Sequence, residues 1–146
     1  MPASTSLAAS VLNLYFLNTA DANIGDASGL QPSSTAGSFY IALHTASPGT
    51  GGNQTTNEAT YTSYARVAIA RSGSGFSLST NVMSNVAAVN FPTCTGGSNT
   101  ITYFSIGTAS SGTGRMLWFG ALTSSLAVSS GITPSFAIGT LTNTVT

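Results

Sequence analysis

The side chains of this sequence that could do acid–base or nucleophilic chemistry are few. His44 is the only imidazole, Cys94 is the only thiol, and Asp21, Asp26 and Glu58 are the only carboxylates. A Ser-His-Asp arrangement needs a carboxylate to orient the imidazole, and a glycosidase needs two carboxylates beside the scissile bond. None of the acids lies in a motif for either reaction. We therefore expect a structural histidine, no catalytic residue and no enzymatic activity.

Metal and cofactor sites are expected to be absent as well. A zinc site takes about four Cys, His or acidic ligands, and one Cys with one His cannot supply them. The glycine-rich stretch "GTASSGTGR", residues 107–115, has no lysine and opens no predicted helix, so it does not match a phosphate-binding loop. The lone Cys94 is expected to be a buried thiol, since free cysteines are among the most buried residues.

Two of the three cations lie close together in "TYTSYARVAIARSG", residues 60–73. If this stretch is a strand, alternation places Arg66 and Arg71 on opposite faces, so they cannot clamp one phosphate. Two interpretations stay open. Arg66 pairs with Glu58 across the preceding turn, or one of the two arginines makes a charge-assisted hydrogen bond to a neighbouring subunit.

Charge is scarce throughout the chain. Charged residues make up 4% of the sequence and the formal net charge is zero, whereas ordinary soluble domains carry about 25%. A nucleic-acid binder needs a Lys/Arg patch, and so does a polybasic membrane anchor, so neither partner is expected. No apolar run reaches the ~20 residues of a membrane span. A net charge near zero favours association, which is consistent with a homo-oligomer, either a dimer or a trimer.

One helix is predicted, in "STSLAASVLNLYFLNTA", residues 4–20. Ser4 or Ser6 can serve as its N-cap. An apolar stripe at helical spacing runs through Leu7, Val11, Leu14 and Tyr15 and is widened by Ala8, Leu12 and Phe16. Because the helix is apolar almost all round, one face is expected to meet the domain and another a partner, with Leu12, Tyr15 and Phe16 as candidate contacts. A turn-rich linker then extends the N-terminal segment over residues 1–37.

From residue 38 onward the apolar periodicity changes to two, beginning with "SFYIALHTA". Further short runs follow, separated by turn signals: "YARVAIAR", "GFSLST", "NVAAVNFP", "TITYFSIG", "RMLWFGAL", "SLAVSSG", "TPSFAIG" and "TLTNTVT". This spacing predicts a mainly β fold, an antiparallel β-sandwich that is jelly-roll-like and carries one N-terminal α-helix. Residues 38–146 are expected to pack as one unit.

Trp118 lies in "RMLWFGAL", where both alternating faces are apolar. Such a strand is expected to be buried on both sides, either in the domain or against a subunit. Stacking of Trp118 on a sugar is the alternative, but no carboxylate or amide cluster accompanies the ring.

Two long stretches, "YIALHTASPGTGGNQTTNEATYTSYARVAIAR" and "NFPTCTGGSNTITYFSIGTASSGTGRMLWFGALTSSLAVSSGITPSFAIGTLT", resemble a family of small structural proteins of tailed-phage virions, labelled capsid decoration (cement) or tail-fibre-like. The resemblance implies a protein without a cofactor, made in the cytoplasm of the bacterial host. It implies a location on the outer capsid surface, bridging subunits of the major capsid protein. A tail or fibre component and a glycan-binding module are the alternatives.

Overall fold

The computed structural model describes residues 3–146. The chain divides into two compact units. The helix unit comprises Met1–Ser38, Ala70–Ala88 and Phe136–Thr146, and the sheet unit comprises Phe39–Ile69 and Val89–Ser135. The boundary expected between residues 37 and 38 stays a prediction.

One helix and nine strands form the secondary structure of the described residues. In chain order they are α1 (Thr5–Phe16), β1 (Ser38–His44), β2 (Val67–Ala70), β3 (Phe76–Ser79), β4 (Val82–Asn85), β5 (Val89–Asn90), β6 (Ser98–Gly107), β7 (Met116–Ser129), β8 (Ser135–Phe136) and β9 (Thr142–Thr144). No helix among residues 3–146 is long and apolar enough to cross a membrane.

Helix α1 begins where the sequence predicts. Ser4 is its N-cap, and the Ser4 hydroxyl accepts a hydrogen bond from the Leu7 amide at 3.2 Å. The buried face consists of Ala8, Leu12 and Phe16, which follow one another at intervals of four residues, as on one side of a helix. Leu7 and Tyr15 remain 46% and 39% exposed. The buried face therefore consists of the residues that were predicted only to widen the apolar stripe, and not of the stripe that includes Leu7 and Tyr15.

The sheet of the helix unit has the order β3-β4-β9, and both of its pairings are antiparallel. The Phe16 ring meets the Phe76 ring edge to face, with the centroids 4.8 Å apart. This contact fixes α1 against β3 and forms the apolar centre of the unit. Strand β4 was not predicted as a strand.

The sheet of the sheet unit has the order β2-β1-β6-β7. Strand β6 pairs antiparallel with β1 and with β7, so that Ile106 lies between Ile41 and Trp118. Ile41 and Ile106 are buried. The two predicted strands "RMLWFGAL" and "SLAVSSG" form one continuous strand, β7. Its pairing with β6 has two register shifts, one between Ile101 and Tyr103 and one between Ile106 and Gly107.

The mainly β fold with antiparallel sheets and one N-terminal helix is confirmed. The strands group into sheets of four, three and two strands. A jelly roll is built from eight strands in two Greek keys, and these strand orders do not confirm that topology.

Candidate functional site

A salt bridge in the sheet unit joins Arg66 to Glu58. Arg66 Nε donates to Glu58 Oε1 at 2.6 Å, and Nη2 donates to Oε2 at 2.8 Å. The two side chains are only 2% and 16% exposed. Arg66 lies directly before β2, and not within the strand as the alternation of residues 60–73 predicts. Of the two interpretations left open for Arg66, the structure forms the intrachain pair.

The remaining contacts of Arg66 reach the loop between β6 and β7. Nη1 donates to the carbonyl of Ala109 at 2.9 Å, and Nη2 donates to that of Gly112 at 2.8 Å. The Tyr64 hydroxyl donates to Glu58 Oε1 at 3.0 Å, and burial raises the pKa of Tyr64 above its usual value. The ion pair therefore fixes the hairpin loop that leads into β7.

A buried amide holds the same loop from another direction. Gln54 Oε1 accepts from the Ala109 amide at 3.0 Å, and Nε2 donates to the Tyr40 carbonyl at 3.3 Å. A Cβ atom added to Gly107 or to Gly114 would overlap the Gln54 side chain. Both glycines are therefore needed because the amide occupies the space where a side chain would lie.

His44 is fully buried at the end of β1. Its Nδ1 lies 2.8 Å from the Thr56 carbonyl, which can only accept, so Nδ1 carries the proton. Nε2 then accepts from the Ser105 hydroxyl at 2.8 Å. Burial is the largest effect on the imidazole and lowers its pKa, although the Thr56 hydrogen bond opposes this shift.

The His44–Ser105 pair resembles two members of a catalytic triad, but its third group differs. A triad holds the imidazole with a carboxylate, whereas here the Thr56 carbonyl takes that position. The Glu58 carboxylate is bound to Arg66 instead. Ser105 is also fully buried, so the arrangement ties β1 to β6 as a structural contact.

Arg71 belongs to the helix unit and closes the C-terminal end of α1. Its Nε donates to the Tyr15 carbonyl at 2.6 Å, and Nη2 donates to that of Leu14 at 3.0 Å. Nη1 reaches the Ala36 carbonyl at 3.0 Å. The last carbonyls of a helix have no hydrogen-bond partner within the helix, and they form the negative end of the helix dipole. A guanidinium at this position donates hydrogen bonds to the carbonyls and places a positive charge beside the dipole.

The other residues that were predicted as contacts to a neighbouring subunit differ in their burial. Trp118 is half-buried and meets Phe39 edge to face, with the ring centroids 6.5 Å apart. Leu12 and Phe16 lie in the core of the helix unit, whereas Tyr15 is exposed. Arg66 and Arg71 belong to different units, and each binds groups of its own unit.

Gln54 and Asn85 are among the buried polar residues that sequence reasoning missed. Asn85 Nδ2 donates to the carbonyls of Ala87 and Ala137, and its Oδ1 accepts from the Leu141 amide. Polar residues in Thr- and Asn-rich segments are usually exposed, so nothing in their neighbourhood marked these two. The glycines at 107 and 114 were the available signal for Gln54, because paired glycines indicate a close approach of another group.

The described part of the chain holds no group of three or more His, Cys, Asp or Glu side chains arranged to bind a metal ion. Cys94 is buried, as the sequence predicts. Every buried side-chain nitrogen and oxygen within residues 3–146 has a hydrogen-bond partner.

The sequence of the chain matches a known protein family. The family model described as "Podophage GP4 fiber I protein gp80" matches residues 2–144, nearly the whole chain. No curated protein gives a significant match. The chain belongs to this family of structural proteins of the tailed-phage virion.

Proposed function

We propose that the protein is a self-associating component of a phage fibre. The family match carries this proposal, because the matching model is described by a fibre protein and covers residues 2–144. The composition supports it, since a chain with 4% charged residues and zero net charge offers little repulsion between copies. The protein acts by holding neighbouring chains together and not by transforming a substrate.

The buried contacts of the sheet unit give this passive role a physical basis. Arg66 and Gln54 both bind the loop between β6 and β7. A loop held by charge-assisted and amide hydrogen bonds presents the following strand in one fixed geometry. A fixed surface loses less entropy on association than a mobile one, and contacts repeated along an assembly reinforce one another.

Capsid decoration is the competing assignment within the virion. It requires the major capsid protein as partner and a place on the outer shell, whereas the family description names a fibre. Location decides between the two. Immunogold labelling and a cryo-EM map of the purified virion are expected to place the protein on fibres at the tail. Density bridging the shell subunits would overturn the fibre proposal in favour of decoration.

Glycan binding is the remaining alternative and predicts a different observation. A sugar-binding tryptophan needs an open ring face, whereas Trp118 is half-buried and contacts Phe39. We expect no binding of the isolated protein on a glycan array. Binding that is lost in Trp118→Ala, with the fold retained, would favour the glycan-binding module instead.

A further inference from the structure

The most unusual surface of the sheet unit is the outer edge of β7. This strand is the last of the order β2-β1-β6-β7, so among residues 3–146 no strand is hydrogen-bonded to its other edge. It runs for 14 residues without a charged residue or a proline. Edge strands are normally protected by charges, prolines, bulges or short length, because their backbone groups otherwise recruit another strand. The register shifts of β7 lie on either side of residues 118–121, which pair regularly with β6.

The opposite edge of the same sheet is built differently. Strand β2 has four residues and is directly preceded by Arg66 and followed by Arg71 in the sequence. Short length is one of the usual protections of an edge, whereas both guanidinium groups are engaged elsewhere, Arg66 with Glu58 and Arg71 with the carbonyl of Tyr15. The contrast indicates that β7, and not β2, is the edge suited to pairing.

The side chains of β7 are also suited to contact. Residues 116–120 are half-buried and Ala121 is exposed, although all six are apolar or glycine. Gly120 lies under the ring of its own neighbour Phe104, which a Cβ at that position would touch at 3.0 Å. The edge therefore presents aromatic and aliphatic groups along a strand that has no strand partner on this side among the described residues.

We propose that the occupant of this edge is β7 of a second copy, paired antiparallel so that two four-stranded sheets become one. An antiparallel pair of identical strands is self-complementary and closes as a twofold dimer. The absence of charge along β7 means that no like charges are brought together. The inference deepens the proposed function and rests on it, because it names the partner and the surface of self-association.

The sequence of β7 indicates the register. A twofold axis perpendicular to the sheet passes midway between one residue and the same residue of the other strand, and residues directly opposite each other share a face of the sheet. Centring on Phe119 places Trp118 opposite Gly120 and Leu117 opposite Ala121 of the other copy, so each of these two large side chains meets a small one. The two Phe119 rings then face each other at the centre of the pair, and such cross-strand aromatic pairs are favourable. The two Arg115 side chains then lie about 26 Å apart, eight residues at ~3.3 Å each, well beyond the screening length in physiological salt.

Association in solution tests the surface. Light scattering after size exclusion is expected to give a dimer for the unaltered protein. Ala121→Lys brings a charge to the exposed edge and should weaken dimerisation at least tenfold. In the register centred on Phe119, the two copies pair over residues 116–122. Ala127→Lys is the matched control, since it adds the same charge to an exposed alanine of β7 outside these residues and should leave the dimer intact. A monomeric unaltered protein, or equal association of both variants, would overturn the proposal.

Cross-linking tests the register. In a Cys94→Ala background, Phe119→Cys is expected to form a disulfide-linked dimer under mild oxidation, because opposite Cβ atoms lie ~5 Å apart. Thr123→Cys should not cross-link. The reverse result would overturn the register centred on Phe119. These measurements need no virion, so a monomer found on fibres would overturn self-association through β7 and leave the fibre location standing, and a dimer absent from fibres would overturn only the fibre location.

Discussion

The guanidinium of Arg66 and the carboxylate of Glu58 meet side by side through two hydrogen bonds of 2.6 and 2.8 Å, while both side chains are almost fully withdrawn from water. Removing one member of such a pair leaves the other charge buried without compensation. Loss of either side chain is therefore expected to lower the free energy of unfolding by more than the loss of a surface ion pair would.

Arg66→Met is expected to destabilise the fold by about 3–5 kcal/mol, because Glu58 would remain buried without its counter-charge. Urea unfolding followed by fluorescence measures the loss. Arg115→Met provides the control, since Arg115 is exposed and its removal should change stability by less than about 0.5 kcal/mol. Equal effects of the two substitutions would contradict the structural role of the pair.

Gly107→Ala is expected to destabilise the fold by about 1–3 kcal/mol, since its methyl group would overlap the Gln54 side chain. In a Gln54→Ala background the same substitution should cost much less, because the atoms nearest to the new methyl group all belong to Gln54. Gly51→Ala, which meets nothing within 4 Å, is the matched control. Additive effects of Gly107→Ala and Gln54→Ala in denaturant titrations would disprove the overlap.

Acidification is expected to destabilise the protein through His44. The folded state lowers the pKa of His44 below its usual 6.5, so below that pH the unfolded chain binds a proton that the native state resists. The contribution of neutral His44 to the free energy of unfolding is fully present above pH 6.5. It is lost as the pH falls through the pKa that His44 has in the folded state, by at most about 1.4 kcal/mol per pH unit. Urea midpoints between pH 7.5 and 5 measure the slope. His44→Gln should flatten it, and an unchanged slope would assign the effect to the carboxylates.

Arg71→Lys is expected to loosen the C-terminal end of α1 although the charge is retained. A lysine ammonium cannot reproduce the planar fork that binds the carbonyls of Leu14, Tyr15 and Ala36. The loss should be about 1–3 kcal/mol. Hydrogen exchange in the last turn of α1 should accelerate in Arg71→Lys and not in Arg115→Lys. Unchanged protection would mean that the dipole interaction alone suffices.

Periodicity predicted the helix and most strands because their buried faces repeat regularly. Helix α1 was predicted from apolar residues at helical spacing, although its buried face consists of the flanking Ala8, Leu12 and Phe16. Strand β1 follows from the alternation of Phe39, Ile41 and Leu43. Strand β7 was divided in two because the polar residues 123–125 interrupt its apolar pattern, at the point where the register shifts.

The buried polar contacts could not be predicted in the same way. Arg66 was assigned to mid-strand because the predicted run begins at Tyr64, three residues before β2. Its pairing with Glu58 was one of two interpretations left open, because periodicity does not describe the turn that brings the two together. Gln54 and Asn85 are buried by loops folding over them, and such closure depends on distant parts of the chain. The His44–Ser105 contact depends likewise on the pairing of β1 with β6.

The discontinuity of the helix unit has a consequence for biosynthesis. Its sheet is completed by β9, whose Thr144 pairs with Val82 of β4, whereas the sheet unit is complete once Ser135 has been added. As the chain leaves the ribosome, the sheet unit can fold first, while β4 waits for its last neighbour. Released chains that are truncated before residue 142 should therefore protect β1 and β6 from protease and leave residues 76–85 susceptible.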